Sequence, residues 1–320
     1  MYYIGLDLGG TAIKGGIIDD DGVIIIKDSI RTDKENGADK VLNDMAEFAL
    51  FLTKKAGLKV KDVAGIGIGS PGLVDGGSAK VVFAPNLKWK NVDVRTVIES
   101  KTGLPVYNSN DANCAALGEY MFGASKNYKN SIFVTLGTGV GGGIITDGKL
   151  FEGVGGAGAE IGHTVIGIDG EQCACGRRGC YETYASATAL IRQAKEALQK
   201  NHNTLLSEYN EGEIFAKDVF DCADKGDKVA NEVVDKYYEY VGIGLVNLVN
   251  VFRPEIILIG GGVSARGEKL LKPLREYVAK YSYAGSNAPS VKIDVASLGN
   301  DAGIVGAAAL AVAAKRNQTE

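Results

Sequence analysis

Residues 4–25 read IGLDLGGTAIKGGIIDDDGVII, and residues 131–151 read SIFVTLGTGVGGGIITDGKLF. Each runs as an apolar strand, a turn holding glycine and threonine, a strand containing Gly-Gly-Ile-Ile, an Asp-Gly turn and a third strand. The segments after these two stretches repeat as well. In the first half, Val41, Leu42, Met45, Phe48, Ala49 and Leu52 recur at helical spacing over 38–56, and Gly57 stops the run. A strand at 63–68, a helix at about 93–101, a strand at 104–108 and a helix opened by Asn110-Asp111 and running to Phe122 come next. In the second half, helices are predicted at about 186–200, 215–225 and 228–251. A strand at 255–259, a helix at 267–280, a strand at 291–295 and a closing helix at 301–316 finish it. The order βββαβαβα is thus predicted twice, and a duplication of this size says more about architecture than any single motif.

At 320 residues two domains are expected. The net charge of −4 is spread over mixed signs, which gives no electrostatic case for nucleic acid or a membrane surface. No segment reaches the ~20 apolar residues of a membrane span, and MYYIGLDLGG lacks the features of a signal peptide. A cytoplasmic, reducing location is expected. Glycine is the outlier, at 44 residues about twice its ~7% average. The glycines gather at predicted strand ends (Gly9-Gly10, Gly69 to Gly72, Gly137 to Gly143, Gly260 to Gly262), where backbone can approach a ligand; phosphate handling and simple tight turns both fit.

Residues 155–182 read GGAGAEIGHTVIGIDGEQCACGRRGCYE and hold one of two histidines and three of five cysteines. His163, Cys173, Cys175 and Cys180 form a His–x9–Cys–x–Cys–x4–Cys set, with Gly176 and Gly179 allowing tight turns between the thiols. Three sulfurs and one imidazole are the donors of a closed tetrahedral zinc site, structural because no position is left for water. Scattered core thiols, a disulfide or an iron–sulfur site are the alternatives. Cys114 and Cys222 read as small buried residues in helices. Glu160 and Glu182 flank the cluster. A metal on one ring nitrogen of His163 leaves the other N–H for a ligand. Two carboxylates and that N–H could therefore surround a molecule rich in hydroxyls; ordinary surface glutamates are the plain alternative.

The runs AGAEIGH and CACGRRGCYE resemble the signature of the ROK family (repressors, open reading frames and kinases). The resemblance extends from the first strand to the last helix, with sugar kinases of the glucokinase type as the nearest match. It implies an α/β fold of two actin-like, ribonuclease-H-like domains flanking a nucleotide cleft, with a zinc-binding insertion in the second. The expected domains are 1–123 with the C-terminal helix at about 301–320, and 124–300 containing the zinc segment 155–182, with a hinge near 123–130.

Asp7-Leu8-Gly9-Gly10-Thr11 with Lys14 resembles the first phosphate loop of this superfamily, where N–H groups and the Thr11 hydroxyl cradle phosphate and Asp7 holds Mg²⁺ through water. Gly137, Thr138 and Gly139 make the matching second loop. Gly137, Gly139 and Gly142 satisfy G-x-G-x-x-G, as do Gly67, Gly69 and Gly72, but a dinucleotide fold needs a helix directly afterwards. Here a hairpin and LVDGG come instead. Gly260, Gly261 and Gly262 end a buried strand, and the resemblance places that turn beside adenosine. Asn110-Asp111 reads on its own as a helix cap. The resemblance makes Asp111 the catalytic base and Asn110 a sugar ligand, with Glu160, His163, Glu182 and Gly72 completing the sugar site. Lys88 stands where relatives have Gly before the Trp, which puts Asn86 in doubt as a ligand.

The expected activity is ATP-dependent phosphorylation of a hexose, glucose to glucose 6-phosphate, using Mg²⁺ and structural Zn²⁺. N-acetylmannosamine, N-acetylglucosamine, allose and fructose are alternative substrates. A sugar-responsive ROK regulator is the alternative of another class, disfavoured because the first core strand starts at residue 2 with no preceding helix-turn-helix. An actin-like ATPase or scaffold leaves the zinc and acid cluster without a purpose. Partners are expected to be sugar, ATP and further copies of the chain as a homodimer or higher homo-oligomer, without nucleic acid or membrane.

Overall fold

The computed structural model describes residues 1–209 and 212–317. Residues 318–320 of the segment assigned above to the first domain lie outside them. The chain opens with β1 (Tyr2–Leu8), β2 (Ala12–Ile18), β3 (Ile24–Arg31), α1 (Gly37–Lys55) and β4 (Val63–Ser70). Next come β5 (Leu73–Asp75), β6 (Lys80–Ala84), β7 (Trp89–Asp93), α2 (Val94–Thr102), β8 (Val106–Asn110) and α3 (Asp111–Phe122). The second half carries β9 (Ser131–Leu136), β10 (Val140–Thr146), β11 (Lys149–Phe151), α4 (Glu182–Ala185), α5 (Ala187–Lys200) and α6 (Ala216–Asp224). It ends with α7 (Lys228–Phe252), β12 (Ile256–Gly260), α8 (Glu268–Tyr281), β13 (Lys292–Val295) and α9 (Ala302–Asn317).

Two five-stranded sheets share one plan, β3-β2-β1-β4-β8 and β11-β10-β9-β12-β13. In the first, β1, β2 and β3 pair antiparallel, and β4 and β8 add parallel to β1. The duplication read from residues 4–25 and 131–151 is therefore present as a repeated strand order. A third sheet, β5-β6-β7, was not foreseen, nor was the one-turn helix α4. No helix among the described residues is long and apolar enough to cross a membrane.

The residues gather into two compact units, one of Met1–Phe133, Gly143–Ala159 and the chain from Ser297 onward, the other of Val134–Gly142 and Glu160–Ala296. The first unit thus also contains residues 124–133 and 143–159, which the sequence reading assigned to the second domain.

In the first unit, Ile4, Leu6, Ile13 and Ile17 pack on Val41, Leu42, Met45, Phe48 and Leu52 of α1, the stripe predicted from spacing. The opposite face of the sheet is built differently. Gly16, Gly5 and Gly67 lie side by side in register on β2, β1 and β4. A Cβ at Gly5 would sit 2.0 Å from the Ile304 carbonyl oxygen, and one at Gly67 only 1.7 Å from that of Ala307. The backbone of α9 therefore rests directly on the sheet, which only glycine permits. On its far side α9 meets α3 just as closely, since a Cβ at Gly306 would sit 2.0 Å from the Cys114 carbonyl oxygen. Glu119, fully buried, anchors the end of α3. Its carboxylate accepts the N–H of Leu298 at 2.7 Å and of Ala124 at 2.8 Å, and the Ser297 hydroxyl at 3.0 Å. Three donors offset the cost of burying that charge. Helix α3 is thus held along its length.

In the second unit, every residue of β12 is buried, the continuous apolar run of an interior parallel strand. Tyr181 packs its ring against Gly244 of α7, where a Cβ would come within 2.2 Å, and donates its hydroxyl to the Val241 carbonyl at 2.9 Å. Tyr237 donates likewise to Ala185 at 2.8 Å. Two buried tyrosines thereby pin α4 to α7 at both ends.

Candidate active site and metal centre

The donor atoms of His163, Cys173, Cys175 and Cys180 all lie within 4.8 Å of one another. Cys175 Sγ is 3.6 Å from Cys180 Sγ, and Cys173 Sγ is 3.7 Å from His163 Nδ1. Around one tetrahedral zinc, with Zn–S about 2.3 Å and Zn–N about 2.0 Å, donors stand roughly 3.5–3.8 Å apart. A disulfide is excluded, since all five cysteines are free. Gly176 and Gly179 make the turns at φ 91° and 79°, and a side chain at Gly179 would strike the Gly167 carbonyl. Burial pushes the Cys173 thiol up to about 12 and raises that of Cys180, while the Arg177 backbone N–H lowers that of Cys175. Metal binding must displace those protons. Three sulfurs and one imidazole are the four donors that a structural zinc takes.

Beside the cluster, Glu182 begins α4, held there by Tyr181. Its Oε1 lies 3.4 Å from Cys173 Sγ and 3.9 Å from His163 Nδ1. Its Oε2 accepts the Val140 N–H at 3.4 Å, and a Cβ at Gly139 would sit 2.5 Å from that oxygen. Glu182 thus touches the second glycine loop as well as the metal ligands, a link the sequence reading did not contain. Since Nδ1 faces the thiol, the other ring nitrogen of His163 is the one left over. Burial raises the Glu160 carboxyl, with His163 opposing and the Glu182 charge adding to it.

The glycine loops divide by geometry. At Gly9, Gly139 and Gly261 a Cβ would collide with Ala12 O, Glu182 Oε2 and Leu136 O respectively. At Gly10, Gly137 and Gly262 nothing lies within 4 Å of that position. Each loop therefore has one glycine required by its own folding and one opening onto free space. Thr11, Lys14 and Thr138 are exposed beside them. After Gly142 the chain continues in β10 and pairs with β11, and after Gly72 it enters β5, so neither G-x-G-x-x-G run opens a helix. Gly260 ends β12.

In the first unit, Asp7 abuts Gly303, whose missing side chain leaves room for the carboxylate; burial raises its pKa and Lys14 works against that. The junction of β8 and α3 settles which residue caps the helix. Asn110 Oδ1 accepts the N–H groups of Ala112 at 2.9 Å and Asn113 at 3.4 Å, and its Nδ2 donates to Gly72 O at 3.0 Å. Asn110 is the cap. Asp111 is the first helical residue, exposed, with Oδ1 also accepting from Ala112 N at 2.8 Å. Gly72, at φ 85°, turns so tightly that a Cβ would lie 2.3 Å from Phe83 O. Buried Cys114 lies where Asp111 and Asp7 both act on it, its thiol raised well above normal by burial first and those charges next. Lys88, questioned in the sequence, adopts a left-handed conformation (φ 59°, ψ 30°), the kind that favours glycine. Cys114 and Cys222 are buried in α3 and α6 as expected.

The chain matches the ROK family over residues 3–314. It is 41% identical to a glucokinase of Halalkalibacterium halodurans, over 95% of this chain and 93% of that one. It is 39% identical to a glucokinase of Thermotoga maritima, over 97% of each. A xylose repressor of Caldicellulosiruptor bescii is 36% identical over 97% of this chain and 77% of its own length. Among solved structures, a ROK family glucokinase from Streptomyces griseus in complex with glucose and AMPPNP superposes with a TM-score of 0.82 at 37% identity, covering 96% of this chain and 98% of that one. Full-length likeness at this level, joined to the cysteine–histidine centre and the duplicated sheets, places the chain in the ROK family.

Proposed function

We propose that this chain is a glucokinase, transferring the γ-phosphoryl group of ATP to glucose and releasing glucose 6-phosphate, ADP and a proton. The observation that carries this reading is the division of roles at the start of α3. Asn110 does the capping, so Asp111 sits one position further on, exposed at the positive end of a helix that favours its ionised form. Asp111 accepts the proton of the attacking hydroxyl as the sugar oxygen moves in line onto the γ-phosphorus. Glu160, His163 and Glu182 take sugar hydroxyls, with Asn110 and Gly72 supporting the same substrate. The open faces of Gly10, Gly137 and Gly262 receive the nucleotide, with Gly9, Gly139, Gly260 and Gly261 shaping their turns and Thr11, Lys14 and Thr138 beside them. Asp7 would hold Mg²⁺, which would supply positive charge to the phosphates, and His163, Cys173, Cys175 and Cys180 would hold the zinc that keeps the sugar-binding segment folded.

The likeness to glucokinases supports glucose over N-acetylmannosamine, N-acetylglucosamine and allose, which differ from it at one ring carbon, and over the ketose fructose. Purified chain in a coupled ADP-release assay across these sugars should give its highest kcat/KM with glucose. A higher value on another hexose would replace the substrate. The 36% likeness to a xylose repressor supports a regulator as the second reading; sugar binding without any ADP release would favour it. Free thiols gathered for a metal fit a reducing compartment, which supports action in the cytoplasm. The family resemblance supports assembly as a homodimer or larger homo-oligomer; sedimentation showing a monomer would overturn that.

A further inference from the structure

Glu152 has no part in the roles above. It comes directly after β11 and is half-buried. Its Oε1 accepts the Ser109 hydroxyl at 2.5 Å, and Ser109 is only 1% exposed. The backbone carbonyl of Glu152 accepts the Gly158 N–H at 2.7 Å, which folds loop 152–158 back on itself. Gly156 of that loop lies so close to β5 that a Cβ would sit 1.7 Å from Val74 O, and a Cβ at Gly76 would sit 2.9 Å from Glu152 Oε2. The carboxylate is boxed in by β8, by the turn after β5 and by its own loop. Its charge also reaches Cys114, where those of Asp7 and Asp111 already act. A third acid in that neighbourhood is electrostatically unfavourable. What it gains is a charge-assisted bond, the stronger kind, to the residue directly before Asn110-Asp111.

Resting on the kinase reading, we infer that Glu152 is a positioning residue for phosphoryl transfer. Its bond to Ser109 holds the junction of β8 and α3, and so fixes where the side chains of Asn110 and Asp111 stand. Gly72 O, on the other side, takes the Asn110 amide, so the junction is tethered from two directions. Displacement of a reacting group by about 1 Å can cost about 10²-fold in rate.

The test uses the full chain carrying Glu152→Ala, Glu152→Gln, Ser109→Ala and the Ser109→Ala/Glu152→Ala pair. Turnover, the Michaelis constants for glucose and ATP, and thermal midpoints are measured for each. Glu152→Ala and Ser109→Ala should each lower kcat by about tenfold or more on that positioning scale, with the ATP constant nearly unchanged. The double variant should lose no more than either single one, because one bond is removed in all three. Glu152→Gln keeps an oxygen that can accept the Ser109 hydroxyl and should restore most of the turnover. If Glu152→Ala fails to fold, Ser109→Ala against Glu152→Gln still decides the matter. Normal kcat in Ser109→Ala or in folded Glu152→Ala, or losses that multiply in the pair, would overturn the inference alone. A parent chain that phosphorylates no hexose would overturn the kinase reading and this role with it.

Discussion

Because Asn110 caps α3 and Asp111 does not, replacing Asp111 by Asn separates chemistry from stability. The helix keeps its cap, and the new side chain can still accept the Ala112 N–H. Turnover should fall by at least about 10²-fold, the lower end of what a general base contributes, while glucose and ATP still bind and the thermal midpoint hardly moves. Near-normal turnover would sink the assignment. Glu182 allows a second separation. Glu182→Gln retains an acceptor for Val140 N–H but loses the charge-assisted bonds to hydroxyls, so the Michaelis constant for glucose should rise with that for ATP nearly unchanged. Glu182→Ala loses both contacts and should raise both; equal behaviour of the two variants in steady-state kinetics would contradict this. The cysteines and His163 were legible in the sequence because their chemistry lies in residue type and short spacing, whereas Asn110-Asp111 reads alone only as a helix cap and takes its proposed role from the family resemblance. The contacts of Glu182 with Val140 and of Glu152 with Ser109 were not legible, since each joins residues some forty positions apart whose meeting only the sheet order creates.

The same contrast holds for elements. Strands β1 to β4, β8 and β12 and helices α1 and α7 match the periods of the sequence closely. The sheet β5-β6-β7 does not: its strands are three to five residues long, Pro85 interrupts it, and Phe83 lies exposed where alternation would bury it. Nor did composition reveal that Gly5 and Gly67 serve packing and not ligand approach. Gly67→Ala would force its Cβ into the Ala307 carbonyl 1.7 Å away, so α9 must shift. Overpacking of this kind typically costs about 1–3 kcal/mol or more, and urea unfolding should show a lower midpoint at unchanged slope. In the other unit, Asp224 of α6 receives Arg266 at 2.8 Å and Lys269 at 2.9 Å, and Arg266 also lies over the Phe220 ring. Those bonds hold the Asp224 carboxyl well below the usual range. A depressed carboxylate contributes its stability above its unfolded pKa, near about 4, and loses it as pH falls further. Thermal midpoints measured from pH 7 down to pH 3 should therefore drop more steeply for the parent than for Asp224→Asn; parallel curves would show that the pair contributes nothing.

At the scale of the molecule, the metal centre is the feature whose removal tests most at once. Structural zinc contributes about 10–16 kcal/mol of apparent binding free energy in small domains, much of it coupled to folding. Cys175→Ala should lower metal content, release the segment 155–182 to proteolysis and weaken glucose binding more than ATP binding. Fully folded, active protein free of zinc by metal analysis would remove the idea. The seat of α9 on the glycine row of the first sheet has a different consequence. During synthesis, β1, β2, β4 and α3 leave the ribosome long before α9, separated from it by everything between 134 and 296. At about 5–20 residues per second that interval lasts roughly 8 to 30 seconds, during which Tyr3, Ile18 and the grooves over Gly5 and Gly67 have no cover. A nascent chain is therefore most exposed to chaperones and proteases on its oldest sheet, and a message broken upstream of residue 302 yields a product that carries that bare face permanently.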